Sequence, residues 1–449
     1  MFHPHTDADR KAMLAAIGAD SLAALFDNVP GKFRFPDLDL PGPLTEMEAW
    51  SDLQEIASAN ETTRDMLSFL GAGAYNHYIP AAVDAILRRG EFYTAYTPYQ
   101  PEVSQGTLQA IFEFQSMMVD ITGMEVSNAS HYDGATAVAE AVNMARIIHR
   151  DKRSKVVLSP GLHPQYRATL RTYLRQSPVV LAGDEDGVDL HGGPQALIDL
   201  IDQDTAVVVV QYPDFFGRIY DYAALADAAH AAGALLAVSV NPLALGLLKP
   251  PGEFGADIVA GEGQPFGIPL AFGGPYLGIL TTRQKYVRSL AGRLVGETQD
   301  VRGQRGYVLT LSTREQHIRR ERASSNICTN QGLMALAATV HLSLLGKQGL
   351  REVAELNYHK AHYAAAQIEA LPGFELWNAQ PFFNEFVVRG PKPAAEINQG
   401  LLEHNIIGGY DLGQDFPALA DCTLYAVTEM VTREDIDFLV KVLAEVSRG

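Results

Sequence analysis

Cysteine and long hydrophobic runs are both scarce in this sequence. The 449 residues include two cysteines, Cys328 and Cys422, which cannot form a disulfide framework and are typical of a reducing compartment. No segment approaches the ~18 consecutive apolar residues of a membrane span. Residues 1–7 contain neither the basic nor the apolar part of a secretory signal. We therefore expect a cytoplasmic protein that has no membrane partner.

Positive charge is also scarce, since 35 lysines and arginines face 53 acidic residues and the formal charge is −18. Nucleic acid binding requires a basic surface, so it is not expected. A local cluster of arginines stands between Arg302 and Arg322, opposed by Glu315 and Glu321; its members are Arg302, Arg305, Arg314, Arg319, Arg320 and Arg322. It could receive an anionic ligand or an acidic partner. A solvated helix face with internal ion pairs explains it equally well.

The length predicts two or three domains. Residues 1–60 are predicted to form a helical arm, with helices at Ser21–Phe26 and from Glu46 to Asn60. Residues 61–325 show β/α alternation, which is typical of a mostly parallel sheet covered on both faces. The apolar strand candidates are Val156–Leu158, Val179–Leu181, Ala206–Val210, Ala234–Val240, the shorter and weaker Asp257–Val259, and Leu277–Thr281.

Residues 326–449 are predicted to form a small α+β C-terminal domain. Two helices, at about 331–345 and 350–371, precede a strand at Glu385–Val388 and a second strand at Thr423–Val427. Helices are also predicted at 394–404 and 434–446. The order of arm, large α/β domain and small domain resembles the fold type I pyridoxal-phosphate enzymes. This resemblance implies a seven-stranded, mostly parallel sheet, and it carries no chemistry by itself.

A turn rich in small and hydroxyl residues, Asn128–Thr136, leads into an apolar helix at Ala137–Ile148. Such a turn can direct several backbone N–H groups at an anion. In a fold type I enzyme it would hold the cofactor phosphate, so the candidate residues of a vestigial phosphate turn are Ser130, His131, Gly134 and Thr136. A plain N-capped helix start explains the same residues equally well.

A stiff loop with three tyrosines and two prolines covers Glu91–Glu102. Its composition disfavours helix and strand, and it offers several phenolic donors, which suits a binding surface. The alternative is a structural loop whose tyrosines pack on the sheet.

The lysine that a pyridoxal-phosphate enzyme needs is missing. In the fold type I pattern this lysine follows shortly after a strand like Gly255–Val259, but Gln264 and Pro265 stand near its place. The acid expected on the preceding strand is also absent, because Ser239 and Asn241 stand there. Lys249 and Lys285 are the nearest lysines and are out of register. We expect no Schiff base on this chain, and no metal ligands are predicted.

Several stretches together resemble the N-terminal half of the glycine cleavage system P-protein. They are Pro4–Thr6, Tyr96–Gly106, Gly261–Pro265, Gly292–Thr298, Thr313–Glu321 and Ser325–Thr329. The resemblance implies a glycine dehydrogenase (aminomethyl-transferring), in which glycine loses CO2 on pyridoxal phosphate and the aminomethyl group passes to the lipoyl arm of H-protein. The length matches subunit 1 of P-proteins that are split in two.

The resemblance also implies a division of labour between subunits. Subunit 2 of the family carries the lysine and the pyridoxal phosphate, and this chain would complete its active site in an α2β2 heterotetramer. The residues that we expect to be donated are Tyr93, Tyr96, Tyr99, Gln100, Glu102, Arg319 and Arg320. The basic Arg302–Arg322 stretch could steer the acidic H-protein. Cys328 is either a redox-sensitive thiol beside a helix start or a buried structural one.

Two other functions stay open on the sequence. One is a self-sufficient pyridoxal-phosphate enzyme, lyase-like or desulfurase-like, that uses Lys249 or Lys285. The other is a non-enzymatic scaffold or regulator that kept the fold and lost the chemistry.

Overall fold

The computed structural model describes residues 4–185 and 187–448. The chain divides into two units, Met1–Glu61 and Thr62–Gly449. The predicted further boundary near residue 325 stays a prediction. Residues 1–3, which belong to the stretch considered for a secretory signal, lie outside the described residues. No helix among the described residues combines the length and the apolar character needed to cross a bilayer.

The first unit contains helices α1 (Asp7–Ile17) and α2 (Glu46–Ser58). Both begin with a capping box, in which Thr6 pairs with Asp9 and Thr45 pairs with Glu48. The helix predicted at Ser21–Phe26 is wrong in type, since only a four-residue 3₁₀ turn without a side-chain cap forms there. No side chain within residues 4–61 is buried.

The strands of the second unit are β1 (Leu67–Ser68), β2 (Val126–Ser127), β3 (Lys155–Leu158), β4 (Val180–Ala182), β5 (Thr205–Tyr212), β6 (Leu235–Val240), β7 (Ile258–Glu262), β8 (Gly278–Thr282), β9 (Leu294–Gln299), β10 (Arg305–Thr310), β11 (Glu375–Leu376), β12 (Glu385–Arg389), β13 (Ile406–Ile407), β14 (Tyr410–Asp411) and β15 (Cys422–Ala426). Within the described residues, seven of them form one sheet in the order β2-β8-β7-β6-β5-β3-β4. The strands from β7 to β4 are parallel to one another, and β8 is antiparallel to both of its neighbours, β7 and β2. The predicted fold class is confirmed.

The helices of this unit are α3 (Ala81–Leu87), α4 (Gly90–Tyr93), α5 (Gln105–Thr122), α6 (Gly134–Ile148), α7 (Pro164–Leu174), α8 (Pro194–Ile198), α9 (Ala223–Ala231), α10 (Gln316–Arg319), α11 (Gly332–Glu369), α12 (Ala394–Leu402) and α13 (Arg433–Val446). Alternate residues of β5 face opposite sides. Val207 and Val209 pack with α6 and α7, whereas Val208 and Val210 pack with α9. The sheet is therefore covered on both faces.

Two parts of the second unit differ from the sequence prediction. Strand β7 runs through Gly261 and Glu262, beyond the short candidate that was predicted. The antiparallel hairpin of β9 and β10 was not predicted; it packs on α5, where the Gln115 side chain bonds the backbone of Val295 at 2.9 and 3.0 Å. The two helices predicted at 331–345 and 350–371 are confirmed, because α11 consists of two helical segments separated by a kink at Gly346, whose φ of 60° and ψ of −177° are not helical.

Candidate functional site

Strands β3, β5, β6 and β7 are parallel, so their carboxyl ends meet at one edge of the sheet, where ligands of α/β folds bind. A cavity of about 30 Å³ lies at this edge. Its walls include His163, Gln211, Ser239, Asn241, Glu262 and Pro265. Pro265, near the place of the expected lysine, and Ser239 and Asn241, in the place of the expected acid, thus line the cavity at the edge where the fold predicts a site.

Gln264 and Pro265 stand where the sequence pattern expects the lysine, and Gln264 acts as a structural clamp. Its Oε1 accepts a hydrogen bond from Tyr75 N at 2.9 Å, and its Nε2 donates to the carbonyl oxygens of Tyr75 and Ile268 at 2.8 Å. All three bonds are buried and join the Gln264 side chain to the backbone. Gln264 therefore fixes the loop around Tyr75, and it has no amine that could form a Schiff base.

Neither of the two alternative lysines lines the cavity at this edge. Lys285 is 63% exposed, and its Nζ is 3.8 Å from Oδ1 of Asp257. Asp257 immediately precedes β7, whereas Glu262 ends it, so five residues of extended chain, roughly 16 Å, separate them. Lys249 is exposed ahead of the 3₁₀ turn Pro251–Phe254. Neither amine is placed to serve the cavity at the carboxyl edge.

The turn before α6 uses its polar groups within the chain. Ser130, with φ 107°, donates its N–H to Asn128 at 3.1 Å, and its hydroxyl accepts from Gln331 N at 3.0 Å. The His131 N–H donates to Gly278 O at 2.8 Å, and burial lowers the pKa of His131 to about 4. Thr136 N donates to the N-cap residue of α6, Asp133, at 2.7 Å.

The remaining residue of that turn, Gly134, donates its N–H to a carboxylate of the chain itself. The acceptor is Oε2 of Glu262 at 2.9 Å, and Oε1 of the same side chain accepts from Gln264 N at 3.0 Å and Leu277 N at 2.8 Å. Glu262 is 7% exposed. Burial raises its pKa to about 7, while the three N–H donors favour the charged form.

The side chains of the tyrosine loop are largely exposed, although the Tyr99 hydroxyl bonds a buried arginine. Tyr93 ends α4, and Tyr93, Tyr96 and Tyr99 are all exposed, Tyr96 to 84%. Gln100 and Glu102 are exposed as well, whereas Pro98 is buried. The loop forms one wall of a cavity of about 250 Å³, and residues of α5 and the start of α11 form the other wall. The alternative prediction, a structural loop whose tyrosines pack on the sheet, does not agree with the exposure of these side chains.

Arg293 contacts the tyrosine loop through Tyr99. It was not among the site residues predicted from the sequence. The guanidinium is 3% exposed, its Nη2 donates to the Tyr99 hydroxyl at 2.9 Å, and it lies over the Tyr99 ring at 5.5 Å. Nε is 3.7 Å from Glu315, and the His317 ring is 5.7 Å from that of Tyr99. Arg293 belongs to the Gly292–Thr298 stretch, but no local pattern connects that stretch with a loop 194 residues earlier.

The structure brings the tyrosine loop to the 315–317 segment through Tyr99, Arg293, Glu315 and His317. Arg319 and Arg320 follow on α10 and the next turn and are exposed. Arg314 differs from them, because its guanidinium donates to the carbonyl oxygens of Leu290, Gly292 and Leu311. Burial lowers its pKa. The other arginines between residues 302 and 322 are exposed.

Cys328 is exposed in this structure, and its backbone N–H donates to the Tyr132 hydroxyl at 2.9 Å. The interpretation of Cys328 as a buried structural thiol is therefore wrong. The buried cysteine is Cys422.

Solved structures with the same architecture define the class of protein. The chain resembles the sphingosine-1-phosphate lyase of Burkholderia pseudomallei K96243, with a TM-score of 0.67 and 16% identity over 94% of this chain and 95% of that one. It also resembles the glutamate decarboxylase of Lactobacillus brevis CGMCC 1306, with a TM-score of 0.68 and 14% identity over 94% and 97%. At these identities the likeness shows the fold alone, which is that of the fold type I pyridoxal-phosphate enzymes.

More similar proteins narrow the class to a family. A crystal structure of an inhibitor-bound glycine decarboxylase (P-protein) superposes with a TM-score of 0.91 and 43% identity, over 99% of this chain and 100% of that one. "Probable glycine dehydrogenase (decarboxylating) subunit 1" of Thermomicrobium roseum is 58% identical over 99% of both chains, and the protein of the same name from Brevibacillus brevis is 51% identical. The family model of the glycine cleavage system P-protein matches residues 1–443. The chain belongs to the glycine cleavage system P-protein family.

Pyridoxal phosphate, the cofactor of this fold, does not fit the residues present at the carboxyl edge. Gln264 and Pro265 replace the lysine, Ser239 replaces the acid, and Glu262 already bonds the first N–H of α6. The cavity of about 30 Å³ is also far smaller than the ~300–1,000 Å³ of ordinary ligand pockets.

Proposed function

We propose that this chain is subunit 1 of a glycine dehydrogenase (aminomethyl-transferring) and is active only in complex with a subunit 2 that carries the pyridoxal phosphate. The observation that carries the proposal is a P-protein fold whose lysine position is occupied by the Gln264 clamp and Pro265. The subunit 1 names of relatives that match over 99% of both chains support it.

The donated part of the active site is the exposed tyrosine loop. In oligomers of this kind the active sites lie between subunits and take side chains from both. Tyr93, Tyr96, Tyr99, Gln100 and Glu102 offer phenol, amide and carboxylate groups on a loop stiffened by prolines and held by Arg293. They would orient the substrate glycine and exclude water from the neighbouring subunit's cofactor. Arg319 and Arg320 are the exposed cations nearest in sequence to His317, and they would bind a carboxylate or phosphate.

The partners follow from the same proposal. Glycine loses CO2 on subunit 2, and the aminomethyl group passes to the lipoyl arm of H-protein. The complex is an α2β2 heterotetramer in the cytoplasm. Three features of the chain support this arrangement: an unbroken family match, two unpaired cysteines and a large exposed apolar surface on the first unit.

Reconstitution tests the proposal directly. The chain, a family subunit 2 and lipoylated H-protein are assayed singly and mixed for exchange of labelled CO2 into glycine. Exchange should require both subunits, and borohydride reduction should fix the cofactor to a lysine of subunit 2. Cofactor fixed to Lys249 or Lys285 would support the self-sufficient enzyme instead. Full exchange by subunit 2 and H-protein without this chain would support the scaffold.

Salt dependence tests the role of the exposed arginines. The affinity of H-protein for the complex should fall as NaCl rises from about 50 to about 300 mM, because opposite charges on exposed surfaces are screened over that range. The double variant R319E/R320E should weaken the affinity and flatten the salt dependence, while Arg351→Glu, an exposed arginine on α11, should not. An affinity that is independent of salt would contradict steering by this segment.

A further inference from the structure

The Glu262 carboxylate lies at the N-terminus of α6, where three backbone N–H groups converge. We propose that Glu262 is a permanent internal ligand of this anion site, and that the site accepts a small external carboxylate or phosphate only when the side chain is removed. The inference does not rest on the function proposed above, since it concerns the chain alone.

The donors come from three separate segments of the chain. Gly134 begins α6, Gln264 follows β7, and Leu277 precedes β8. The distances of 2.8, 2.9 and 3.0 Å are those of good N–H···O bonds, and both carboxylate oxygens are used. Convergent backbone N–H groups at a helix start are the usual composition of an anion site. Glu262 therefore ties three segments together through one carboxyl group.

The charge of Glu262 is compensated by backbone dipoles. Among the ion pairs of the described residues none involves Glu262. The titratable groups that interact with it are Asp133, Tyr166 and Tyr276, none of which is a cation. His163 lines the same cavity, and burial lowers its pKa, which favours the neutral ring. The aligned N–H groups of α6, a helix of 15 residues, supply the positive end of a dipole instead. Removal of the carboxylate would leave these donors buried and without an acceptor.

The surrounding side chains close the site around the carboxylate. The Tyr166 ring stacks on the His163 ring with centroids 4.7 Å apart and planes 20° apart. A Cβ on Gly134 would lie 2.4 Å from the Tyr166 hydroxyl and 3.0 Å from Cβ of Glu262. A cavity of about 30 Å³ lies beside this packing. Shortening Glu262 to alanine would add the volume of a carboxymethyl group, which formate or acetate can fill.

Another buried glutamate provides a matched control. Glu140 is 3% exposed on the same helix, but it stands in the interior of α6 and accepts a hydrogen bond from the Ser325 hydroxyl at 2.8 Å. One of its oxygens lacks a partner among the described residues. It therefore shares the burial of Glu262, which ends β7, and it lies on the helix whose start Glu262 contacts, but it lacks the convergent N–H groups. Both Glu140→Ala and Glu262→Ala remove a buried carboxylate, but only Glu262→Ala leaves an anion site empty.

Thermal unfolding of the full chain measures the effect. Glu262→Ala should lower Tm by roughly 5 °C or more, and sodium formate should recover at least half of that decrease relative to sodium chloride at equal ionic strength. Inorganic phosphate is the second probe. Wild type and Glu140→Ala should show no response specific to formate. Glu262→Asp, which keeps a carboxylate, should fall between wild type and alanine and should be insensitive to formate.

Two outcomes would overturn the proposal. One is an equal response to formate in Glu140→Ala and Glu262→Ala, which would indicate a general salt effect. The other is a Glu262→Gln variant as stable as wild type at pH 8, because a neutral amide would then serve as well as an anion. If Glu262→Ala does not fold in ordinary buffer, the yield of refolded chain in formate against chloride gives the same comparison.

Discussion

At the scale of single residues, Arg293 connects the tyrosine loop to the segment of Glu315 and His317. Its Nε and Nη1 have no hydrogen-bond partner in the described chain, so the Tyr99 hydroxyl is the group that fixes its orientation. A buried cation with a single hydrogen bond suits a positioning residue, since the loop it holds is otherwise exposed. A change at Arg293 should therefore alter the loop more than the core.

The first prediction concerns this contact. In the reconstituted complex, Arg293→Ala should lower kcat for CO2 exchange by about tenfold, because a hydrogen bond to a charged group contributes about 1.5–3 kcal/mol. Tyr99→Phe should have a smaller effect, and the double variant should be no worse than Arg293→Ala, since both remove one contact. Arg302→Ala, an exposed arginine on the β9–β10 turn, is the control. Additive losses would contradict the coupling.

The second prediction concerns Glu140 and pH. Burial raises its pKa to about 7 from an ordinary 4.5. The folded state therefore keeps a proton that the unfolded state has released, and stability from this group is present below pH 4.5 and is lost as pH rises through 7. Relative to Glu140→Gln, wild type should lose up to about 3 kcal/mol between pH 4.5 and 7, at about 1.4 kcal/mol for each pH unit.

Urea unfolding of the two proteins at pH 5 and pH 8 measures this difference. Other buried glutamates, such as Glu385, are present in both proteins and cancel in the comparison. Glu113→Gln, an exposed change on α5, should show no such trend. A pH-independent difference between Glu140→Gln and wild type would contradict the assignment.

Only part of the site could be predicted at the residue scale. The tyrosine loop is recognisable because its composition rules out helix and strand, and the missing lysine is recognisable because the β7 pattern precedes the gap. Arg293 could not be found, since its partner Tyr99 is 194 residues away. The role of Glu262 could not be found either, because the N–H groups that bind it come together only in the folded chain.

At the scale of elements, the large sheet was predictable because strands covered on both faces consist of continuous apolar residues, as in Ala206–Val210. The β9–β10 hairpin was not, since β9 has two buried residues followed by glycine and polar ones, and it packs on α5 outside the sheet. Strand β7 was underestimated because Gly261 and Glu262 look like a turn; the hydrogen bonds of Glu262 make its burial possible.

The third prediction compares two glycines at the start of helices. Gly134→Ala should destabilise the chain by about 1–3 kcal/mol, because the added Cβ would overlap the Tyr166 hydroxyl. Gly106→Ala, near the start of α5, meets nothing within 4 Å and should stabilise the chain by about 0.4–1 kcal/mol. Urea unfolding measures both. Equal effects of the same sign would show that helix propensity outweighs packing at the start of α6.

At the scale of the whole molecule, the first unit exposes apolar side chains of the kind that mark an interaction surface. On α2 the exposed apolar side chains are spaced by three residues, so neighbours lie side by side along the helix; they are Met47, Trp50, Leu53 and Ile56. This stripe is the surface on the first unit that we expect subunit 2 to cover.

The fourth prediction uses the two tryptophans. Trp50 is 65% exposed and Trp377 is buried, so Trp377→Phe leaves an exposed reporter on α2. Its fluorescence should shift to shorter wavelength when subunit 2 is added, because the indole leaves water. Trp50→Phe, which keeps the buried reporter, should show little shift. Complex formation by gel filtration without a shift in the Trp377→Phe protein would place the interface elsewhere.

The Gln264 clamp also limits which substitutions could give this chain cofactor chemistry of its own. A lysine introduced at Pro265 would enter a cavity of about 30 Å³, with Glu262 beside it and no acid at Ser239. The hydrogen bonds of Gln264 to Tyr75 and Ile268 hold the loop beside that cavity. A single substitution to lysine would therefore add an amine without the space or the acid that cofactor chemistry needs. Engineering this chain into a self-sufficient enzyme would take several coordinated substitutions around the Gln264 clamp.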